Sequence, residues 1–405
     1  MKIQHDDDSI LRHVQSINKR VLEIKQAGLY FYNQPISELC GGSRVLVNGR
    51  EMGMYASYSY LGLIGHPRIN KAARDAVEYY GTGTHGVRAL AGTLSIHREL
   101  EETIADFKHT EASITFSSGY VTNLTVISTL LGREDYVISD KLNHASIVDG
   151  CNMSGAKFLR FHHNDMDALE RRLKQVPTSA AKLVVTDAVF SMDGDIIDLP
   201  RLVEVCQKYH CWLMIDEAHS VGVLGETGHG IEEHFGMEGT IDILMGTLSK
   251  TIPSVGGYIA GKKEIIEYLR HTSRAYIFSA AIPPAQVAAA NEAFKVILDE
   301  PWRVVKLNEN TKQFINGIKK RGFDTMRTET AIVPILCRED TTAYQMTKYA
   351  QEHDIFVLPV VSPAVPAGLA RLRATITAAH EPDDIEHAMD VIQEASDKLG
   401  IVTRS

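Results

Sequence analysis

The sequence contains four side chains that together suit chemistry on a positively charged aromatic aldehyde. They are two imidazoles, a carboxylate and an amine: His144, His219, Asp216 and Lys250. A carboxylate can hold a protonated ring nitrogen, and a flat imidazole can stack on an aromatic ring. A lysine flanked by Ser, Thr and Gly can form a Schiff base with an aldehyde, because desolvation and neighbouring charge lower its pKa.

A Gly-containing turn adds a place for a phosphate. Residues 117–120, Ser-Ser-Gly-Tyr, follow a strand predicted at Ser113–Phe116 and open a helix. Backbone N–H groups at the positive end of a helix can cradle a phosphate. An aldehyde, a protonated ring and a phosphate occur together in pyridoxal phosphate. The residues therefore predict this cofactor, with Asp216 on the pyridinium nitrogen and Lys250 on the aldehyde.

Each of these features alone has an ordinary structural explanation. A strand-end Asp is usually a helix N-cap, a single Lys is usually solvated surface, and a single His usually lies on the surface or in the core. The combination is more specific. Asp216 begins an Asp-x-x-His segment, and Lys250, 34 residues later, ends a Thr-x-x-Lys segment. His97, His162, His163 and His229 are assigned no role.

The elements that must position these side chains alternate regularly from about residue 110. Five short β-branched or apolar runs are predicted as strands: Ser113–Phe116, Tyr136–Ser139, Leu183–Thr186, Trp212–Ile215 and Ile241–Met245. Helical patterns separate them, and the last three begin about thirty residues apart, the length of a βαβ unit. This alternation predicts an α/β fold with a mainly parallel sheet covered by helices. Ligands bind beyond the carboxyl ends of strands in such sheets.

The flanking regions have a different character. Residues 1–34 have a helical period, and Asn48-Gly49 between apolar runs predicts a hairpin within residues 44–56. A helix is predicted from Ser95. The C-terminal part is predicted as a helical region over 285–321 interrupted near Pro301, then three strands and a final helix. Those last elements are Ile332–Cys337, Ile355–Pro359, Leu372–Thr377 and a helix from about Pro382 to Leu399.

These patterns predict three parts in the chain. They are an N-terminal arm and hairpin (1–54), a large α/β domain (55–288) and a small C-terminal α+β domain (289–405). A length of 405 residues fits a two-domain enzyme.

Composition excludes several classes of protein. The net charge of −9 leaves no basic footprint for nucleic acid. Five scattered cysteines without a Cys-x-x-Cys pair argue against a disulfide framework or a structural zinc site, and no metal is expected. The N-terminus lacks the apolar segment of a signal peptide, and no run of about 18 apolar residues predicts a membrane span. We therefore expect a cytoplasmic protein.

Four ordered segments of the sequence resemble the α-oxoamine synthases, a family of fold-type-I pyridoxal-phosphate enzymes. The segments are Asn-His-Ala-Ser at 143–146, Phe-Ser-Met-Asp-Gly-Asp at 190–195, Asp-Glu-Ala-His at 216–219 and Gly-Thr-Leu-Ser-Lys at 246–250. The resemblance extends from about Tyr55 to His380. The family includes 8-amino-7-oxononanoate synthase, 2-amino-3-ketobutyrate CoA ligase, 5-aminolevulinate synthase and serine palmitoyltransferase.

The resemblance implies catalytic and cofactor-binding roles for the matching positions. Lys250 matches the Schiff-base lysine, which later acts as a base at the substrate Cα, and Asp216 matches the partner of the pyridinium nitrogen. His144 matches the histidine stacked on the ring. His219 matches the histidine near the cofactor's phenolic oxygen, and Ser191 lies where the family contacts that region or the acyl carbonyl.

The resemblance also implies residues on the phosphate side of the cofactor. The matching positions are Ser118, Gly119, Tyr120 and Thr247. The family often carries a Thr at position 280 that reaches the phosphate of the neighbouring subunit. Ala280 stands there in this sequence, which leaves open whether Ser279 makes that contact.

Two positions are implied in substrate binding. Residues 370–375 resemble the segment whose arginine holds the substrate carboxylate. A strand period of 2 places Arg371 and Arg373 on one face, so periodicity cannot choose between them; the family pattern favours Arg373. Tyr58 opens a segment that resembles the Tyr-Asn-Tyr of serine palmitoyltransferases, with Ser59 in place of Asn.

The resemblance implies condensation of a small α-amino acid with an acyl thioester carried by CoA or a carrier protein. Carbon dioxide is normally lost, and the product is an α-amino ketone. The Tyr58 segment leans towards serine palmitoyltransferase-like substrates. Oxononanoate synthase-type activity with L-alanine, glycine C-acetyltransferase-type activity, and a transaminase or decarboxylase on the same fold remain alternatives. The resemblance also implies a homodimer with the active site at the subunit interface.

Overall fold

A computed structural model describes residues 9–401 of the chain. The described helices are α1 Ser9–Gln26, α2 Pro67–Tyr80, α3 Ser95–Phe107, α4 Gly119–Leu130, α5 Ala145–Ser154, α6 Met166–Leu173, α7 Leu199–Lys208, α8 Ile231–Phe235, α9 Lys263–Thr272, α10 Arg274–Phe278, α11 Pro284–Asp299, α12 Trp302–Lys320, α13 Asp340–Glu352 and α14 Pro382–Leu399. The described strands are β1 Ile36–Leu39, β2 Arg44–Val47, β3 Arg50–Met54, β4 Ala112–Phe116, β5 Tyr136–Asp140, β6 Lys157–Phe161, β7 Lys182–Asp187, β8 Trp212–Asp216, β9 Ile243–Ser249, β10 Pro253–Gly261, β11 Ile332–Arg338, β12 Ile355–Phe356, β13 Leu358–Val360 and β14 Ala370–Thr375.

The central sheet has seven strands in the order β4-β10-β9-β8-β7-β5-β6. Strands β5 to β9 are parallel, whereas β10 is antiparallel to both of its neighbours. The prediction of a mainly parallel sheet is confirmed. Strands β6 and β10 were not predicted; β10 contains Pro, Ser and two consecutive Gly, which are typical of turns rather than strands.

Helices cover both faces of this sheet, and the strand residues alternate between two apolar clusters. In β8, Leu213 and Ile215 belong to one cluster and Met214 to the other. Successive side chains of a strand point to opposite faces. A parallel sheet covered on both sides therefore reads as a continuous apolar run rather than as an alternating one.

The C-terminal part contains a three-stranded antiparallel sheet in the order β11-β14-β13. The single strand predicted at Ile355–Pro359 is wrong, because the structure divides this run between two sheets. Strand β12 pairs in parallel with β3, and β13 pairs with β14. A local apolar run shows that a segment is buried, but the change of partner at Val357 depends on the packing of distant elements.

The N-terminal hairpin forms where it was predicted. Strands β2 and β3 are antiparallel, and Asn48 and Gly49 between them have φ angles of 52° and 77°. These left-handed values are those of a type I′ turn. Because β3 also pairs with β12, the hairpin belongs to a four-stranded sheet shared with the C-terminal part. The predicted domain limits, 1–54, 55–288 and 289–405, stay a prediction.

The helices agree with the sequence patterns in most places. The helical region after residue 284 divides into α11 and α12 at Glu300-Pro301, as predicted, and α14 has the predicted limits. The helix predicted within residues 1–34 ends at Gln26, and residues 1–8 of that prediction lie outside the described part. Within residues 9–401, no helix combines the length and apolarity needed to span a bilayer.

Candidate active site

A cavity of about 240 Å³ lies at the carboxyl edge of the central sheet. It is bounded by residues that follow β4, β5, β7, β8 and β9. The nine residues for which the sequence predicted contact with the cofactor all line it: Ser118, Gly119, Tyr120, His144, Ser191, Asp216, His219, Thr247 and Lys250. Parallel strands end at one edge, so residues that are far apart in the sequence meet there.

Asp216 lies at the end of β8 with a buried carboxylate. Its Oδ2 accepts a hydrogen bond of 2.7 Å from Asn123 Nδ2, and its Oδ1 accepts one of 2.8 Å from the backbone N–H of Ala218. Asp187 is the register partner of Asp216 on β7. Burial and the neighbouring negative charge of Asp216 raise the pKa of Asp187 well above its ordinary value.

Lys250 lies in the short connection between the antiparallel strands β9 and β10. Burial lowers the pKa of its amine, and the positive charge of Arg373 acts in the same direction; Asp216 and Asp187 oppose this shift. The Nζ atom lies 5.7 Å from the centroid of the Tyr58 ring. A partly buried amine with a lowered pKa is a better nucleophile and base at neutral pH.

The start of α4 forms the predicted phosphate side of the cavity. Ser118 is the N-cap, and its hydroxyl accepts a hydrogen bond from the backbone N–H of Val121. The Cα of Gly119 approaches β9 so closely that an added Cβ would lie 2.9 Å from Thr247 Oγ1. Glycine therefore allows the start of α4 to lie against β9, beside Thr247. The hydroxyl of Tyr120 donates to Asp149.

The two histidines have different environments. His144 Nδ1 lies 2.7 Å from the hydroxyl of Ser146, and the backbone N–H of His144 donates to Asp187 Oδ2 at 2.8 Å. His219 is buried, and its Nδ1 lies 2.6 Å from the hydroxyl of Tyr60. Burial lowers the pKa of both imidazoles, and the charge of Lys250 acts in the same direction.

The two arginines of β14 share a face but have different partners. Arg371 donates from Nη1 to Asp193 Oδ1 at 2.7 Å and to the carbonyl of Met192 at 3.0 Å. Arg373 donates from Nε to the carbonyl of Ser191 at 2.6 Å, while its buried Nη2 has no partner. Its guanidinium carbon lies 5.1 Å from the centroid of the Tyr58 ring.

A partly buried histidine holds the segment that carries Ser191. His163 lies between Asp140 and Asp195, with Nδ1 3.1 Å from Asp140 Oδ1 and Nε2 2.7 Å from Asp195 Oδ2. Although burial opposes it, these two contacts raise the pKa of His163 to about 10. The imidazolium therefore ties residues 190–195 to the end of β5.

Sequence reasoning missed three residues of this site. Asn123 orients Asp216, Asp187 contacts His144, and Tyr60 contacts His219. Asp187 directly follows an apolar strand, as Asp216 does, and Asn123 lies one helical turn after Gly119; both signals were available. Nothing in the sequence around Tyr60 indicates that its partner is 159 residues away.

A second cavity of about 530 Å³ adjoins the first and shares Ser249 and Lys250 with it. Residues 57–65, α2 and α11 form most of its wall. Among the described residues that line it, Lys250 has the only basic side chain, and none has a carboxylate. The other side chains are apolar or carry neutral hydroxyl and amide groups.

The residues present fit the predicted pyridoxal phosphate. A buried carboxylate, a partly buried amine and a helix N-terminus line one cavity. Arg373 does not line that cavity, but its Nε donates to the carbonyl of Ser191, which does, and its buried Nη2 is unpartnered. Within residues 9–401, no group of three or more His, Cys, Asp or Glu side chains is arranged to hold a metal ion.

Comparison with known proteins identifies relatives over nearly the whole chain. Residues 55–392 match the family model described as aminotransferase class I and II. The chain is 42% identical to an 8-amino-7-oxononanoate synthase of Thermoanaerobacter pseudethanolicus, over 97% of this chain and 100% of that protein. It is 44% identical to a serine palmitoyltransferase of Sphingobacterium spiritivorum, over 91% of this chain and 92% of that protein.

A solved structure of a serine palmitoyltransferase with its pyridoxal-phosphate internal aldimine is also similar. The TM-score is 0.94 at 34% identity, and the match covers 98% of this chain and 100% of that one. These similar proteins thus carry two enzyme names, 8-amino-7-oxononanoate synthase and serine palmitoyltransferase.

Proposed function

We propose that this chain, which belongs to the α-oxoamine synthases, uses an acyl donor with a plain hydrocarbon chain. The α-oxoamine synthases are pyridoxal-phosphate enzymes that condense an α-amino acid with an acyl thioester. The amino acid is small, and serine is favoured by the Tyr58 segment. The observation that carries the proposal is the wall of the 530 Å³ cavity, whose described lining residues include no charged side chain other than Lys250.

When bound, pyridoxal phosphate supplies an aldehyde and an electron-accepting ring. We propose that Asp216 holds the ring nitrogen, because its buried carboxylate is oriented by Asn123 and Ala218. We propose that the phosphate is held by groups at the start of α4 and on the adjacent strand β9. They are Ser118, Gly119, Tyr120 and Thr247. Preorganised donors of this kind lose little free energy to reorganisation when the ligand binds.

Proton transfer at the substrate is proposed for Lys250. Its amine is partly buried and desolvation lowers its pKa, so a neutral form able to accept a proton from the substrate Cα is available. His144 is proposed to stack on the ring and to help position the substrate carboxylate or act as an acid. The Ser146 hydroxyl orients the ring through Nδ1, and Asp187 holds the backbone of His144 at the cavity wall.

Arg373 is proposed to bind the substrate carboxylate. Its buried Nη2 is unpartnered, and its Nε is already held by the carbonyl of Ser191, which orients the guanidinium. Arg371 is engaged by Asp193 and Met192 and has less capacity for a ligand. A guanidinium binds a carboxylate with two parallel hydrogen bonds, which a lysine cannot do.

The chemistry of the second cavity favours an uncharged acyl chain. The name 8-amino-7-oxononanoate describes a product with a carboxylate at the far end of its chain, so its acyl donor carries that charge. Burying an unpaired carboxylate is unfavourable. Leu63, Ile69 and Ala289 line the cavity here. Lys250 is the only cationic side chain among the described lining residues, and we propose that it binds the cofactor rather than the acyl chain. A hydrocarbon chain needs no charged partner.

A matched acyl-CoA series tests this proposal. Purified, cofactor-loaded protein is given glycine, L-alanine or L-serine with acyl-CoAs of equal length, with and without a terminal carboxylate, and thiol release is measured. We expect the plain chains to react at least tenfold faster, with kcat/KM rising roughly threefold to fourfold per added methylene until the cavity is filled. Faster reaction of the carboxylated chains would favour oxononanoate synthase-type activity instead. Product formed without thiol release would indicate transaminase or decarboxylase chemistry.

We further propose that the chain works as a homodimer in the cytoplasm. Large apolar side chains are exposed at the end of α2, between α2 and α3, and at the end of α10: Tyr79 at 81%, Leu90 at 84% and Phe278 at 73%. Contiguous exposed apolar patches mark interaction sites, and we propose that these side chains contribute to one. Analytical ultracentrifugation at micromolar concentration should give a species of twice 44.9 kDa. A single species of monomer mass would contradict the proposal.

A further inference from the structure

Tyr60 and His219 form a buried pair beside the 240 Å³ cavity. The Tyr60 hydroxyl lies 2.6 Å from His219 Nδ1, and Tyr60 is 0% exposed. His219 lines the cavity. Its second ring nitrogen, Nε2, has no hydrogen-bond partner within the described part of the chain, which leaves it available to a ligand.

The protonation of this pair follows from its surroundings. Burial lowers the pKa of His219 well below its ordinary value, and the charges of Lys250 and Arg373 act in the same direction, so the imidazole is neutral. Burial raises the pKa of Tyr60 to about 12, so the phenol keeps its proton. The pair therefore shares one hydrogen bond between two neutral groups.

Only one direction of that hydrogen bond satisfies both groups. Within residues 9–401, His219 Nδ1 is the only acceptor that the Tyr60 hydroxyl contacts. If Nδ1 carried the ring proton, the hydroxyl proton would be buried without an acceptor, which is unfavourable. A neutral imidazole has one protonated nitrogen. The proton on the ring is therefore on Nε2, the nitrogen that Tyr60 does not contact, and His219 lines the cavity.

We propose that Tyr60 is a positioning residue that fixes His219 as an Nε2–H donor to an anionic oxygen of the bound cofactor. The proposal rests on the assignment of this cavity to pyridoxal phosphate, whose phenolic oxygen is the anionic group suited to such a donor. Without Tyr60, the imidazole is free to adopt the other tautomer, which presents a lone pair to that oxygen and repels it. Tyr60 thus acts through His219 and does not itself touch the substrate.

The first test measures the tautomer directly and does not depend on the reaction. Full-length protein labelled with ¹⁵N-histidine is studied by long-range ¹H–¹⁵N NMR, with and without pyridoxal phosphate, and a His219→Gln sample identifies the His219 signals. We expect Nε2 to be protonated in the parent and the Nδ1-protonated form to appear in Tyr60→Phe. An Nδ1-protonated His219 in the parent would overturn the proposal, whatever the substrate of the enzyme is.

The second test follows the cofactor's absorbance in the loaded enzyme as pH is varied. In Tyr60→Phe the pKa of the bound chromophore should rise by about one unit, which is a tenfold change in its acidity. The value of kcat should fall roughly 10- to 100-fold, as is typical when the partner that orients a functional histidine is removed. An unchanged titration would contradict the proposal.

Tyr55→Phe is the matched control for both tests. Tyr55 is also buried, and its hydroxyl donates to the carbonyl of Asp384 at 2.8 Å, so the same atom is removed from a similar environment. We expect Tyr55→Phe to lower Tm comparably and to leave both spectra unchanged. In a His219→Gln background, Tyr60→Phe should have little further effect on the titration, because coupled residues are not additive. Full additivity would refute the coupling.

Discussion

Replacing Lys250 with alanine should lower acyl-thioester-dependent product formation by roughly 10⁴-fold or more, the scale of loss when a covalent nucleophile is removed from an enzyme. The amine is the only one on the cavity wall in the described part of the chain, and its lowered pKa suits both attack on an aldehyde and proton transfer. No neighbouring side chain can take over both tasks.

The loss can be separated from unfolding. Because burial lowers the pKa of Lys250, its folded-state value lies below its unfolded value, and the charged form is disfavoured by folding. Removing the amine should therefore leave Tm unchanged or higher. Lys319→Ala, at an exposed position of α12, provides a control that should keep full activity.

The covalent attachment itself can be measured by borohydride reduction followed by peptide mass spectrometry. In the parent, one cofactor should be fixed to the peptide containing Lys250, and in Lys250→Ala none should be fixed. A Lys250→Ala protein that retained turnover, or a parent in which another lysine was modified, would show that the site is misassigned.

Replacing Arg373 with alanine should raise the KM for the amino acid by roughly 30-fold to several thousandfold. Truncating one partner of a buried, hydrogen-bonded charge pair costs about 2–5 kcal/mol, and each 1.4 kcal/mol is tenfold. Arg373→Lys keeps the charge but loses the planar pair of donors, so we expect an intermediate loss. The KM for the acyl thioester should change much less.

Arg371→Ala is the matched comparison, because both arginines lie on the same face of β14. Arg371 is paired with Asp193, so its removal leaves a partly buried carboxylate without its cation. We expect a lower Tm with a small change in the KM for the amino acid. If instead Arg371→Ala raised that KM and Arg373→Ala did not, the roles of the two arginines would be reversed.

Much of the fold was accessible from the sequence because its signals are local. Apolar or β-branched runs of four or five residues separated by helical patterns predict β4, β5, β7, β8 and β9, and the βαβ spacing implies parallel order. Strand β10 was missed because Pro253, Gly256 and Gly257 are unfavourable in strands, and its two strand partners override that preference. The single strand predicted at Ile355–Pro359 is divided between two sheets, because its pairing with β3 and β14 depends on the packing of distant elements.

The candidate site was likewise predictable only where the signals are local. The sequence by itself determined that Asp216, Lys250 and the two histidines follow strands, and parallel strands that end at one edge must bring such residues together. Only the tertiary structure decided that Arg373 has a free nitrogen while Arg371 is paired, that Asn123 orients Asp216, and that Tyr60 contacts His219. Periodicity indicates the face of a strand or helix on which a side chain lies. The residue that this side chain contacts can be tens to hundreds of positions away, because the contact depends on how whole elements pack.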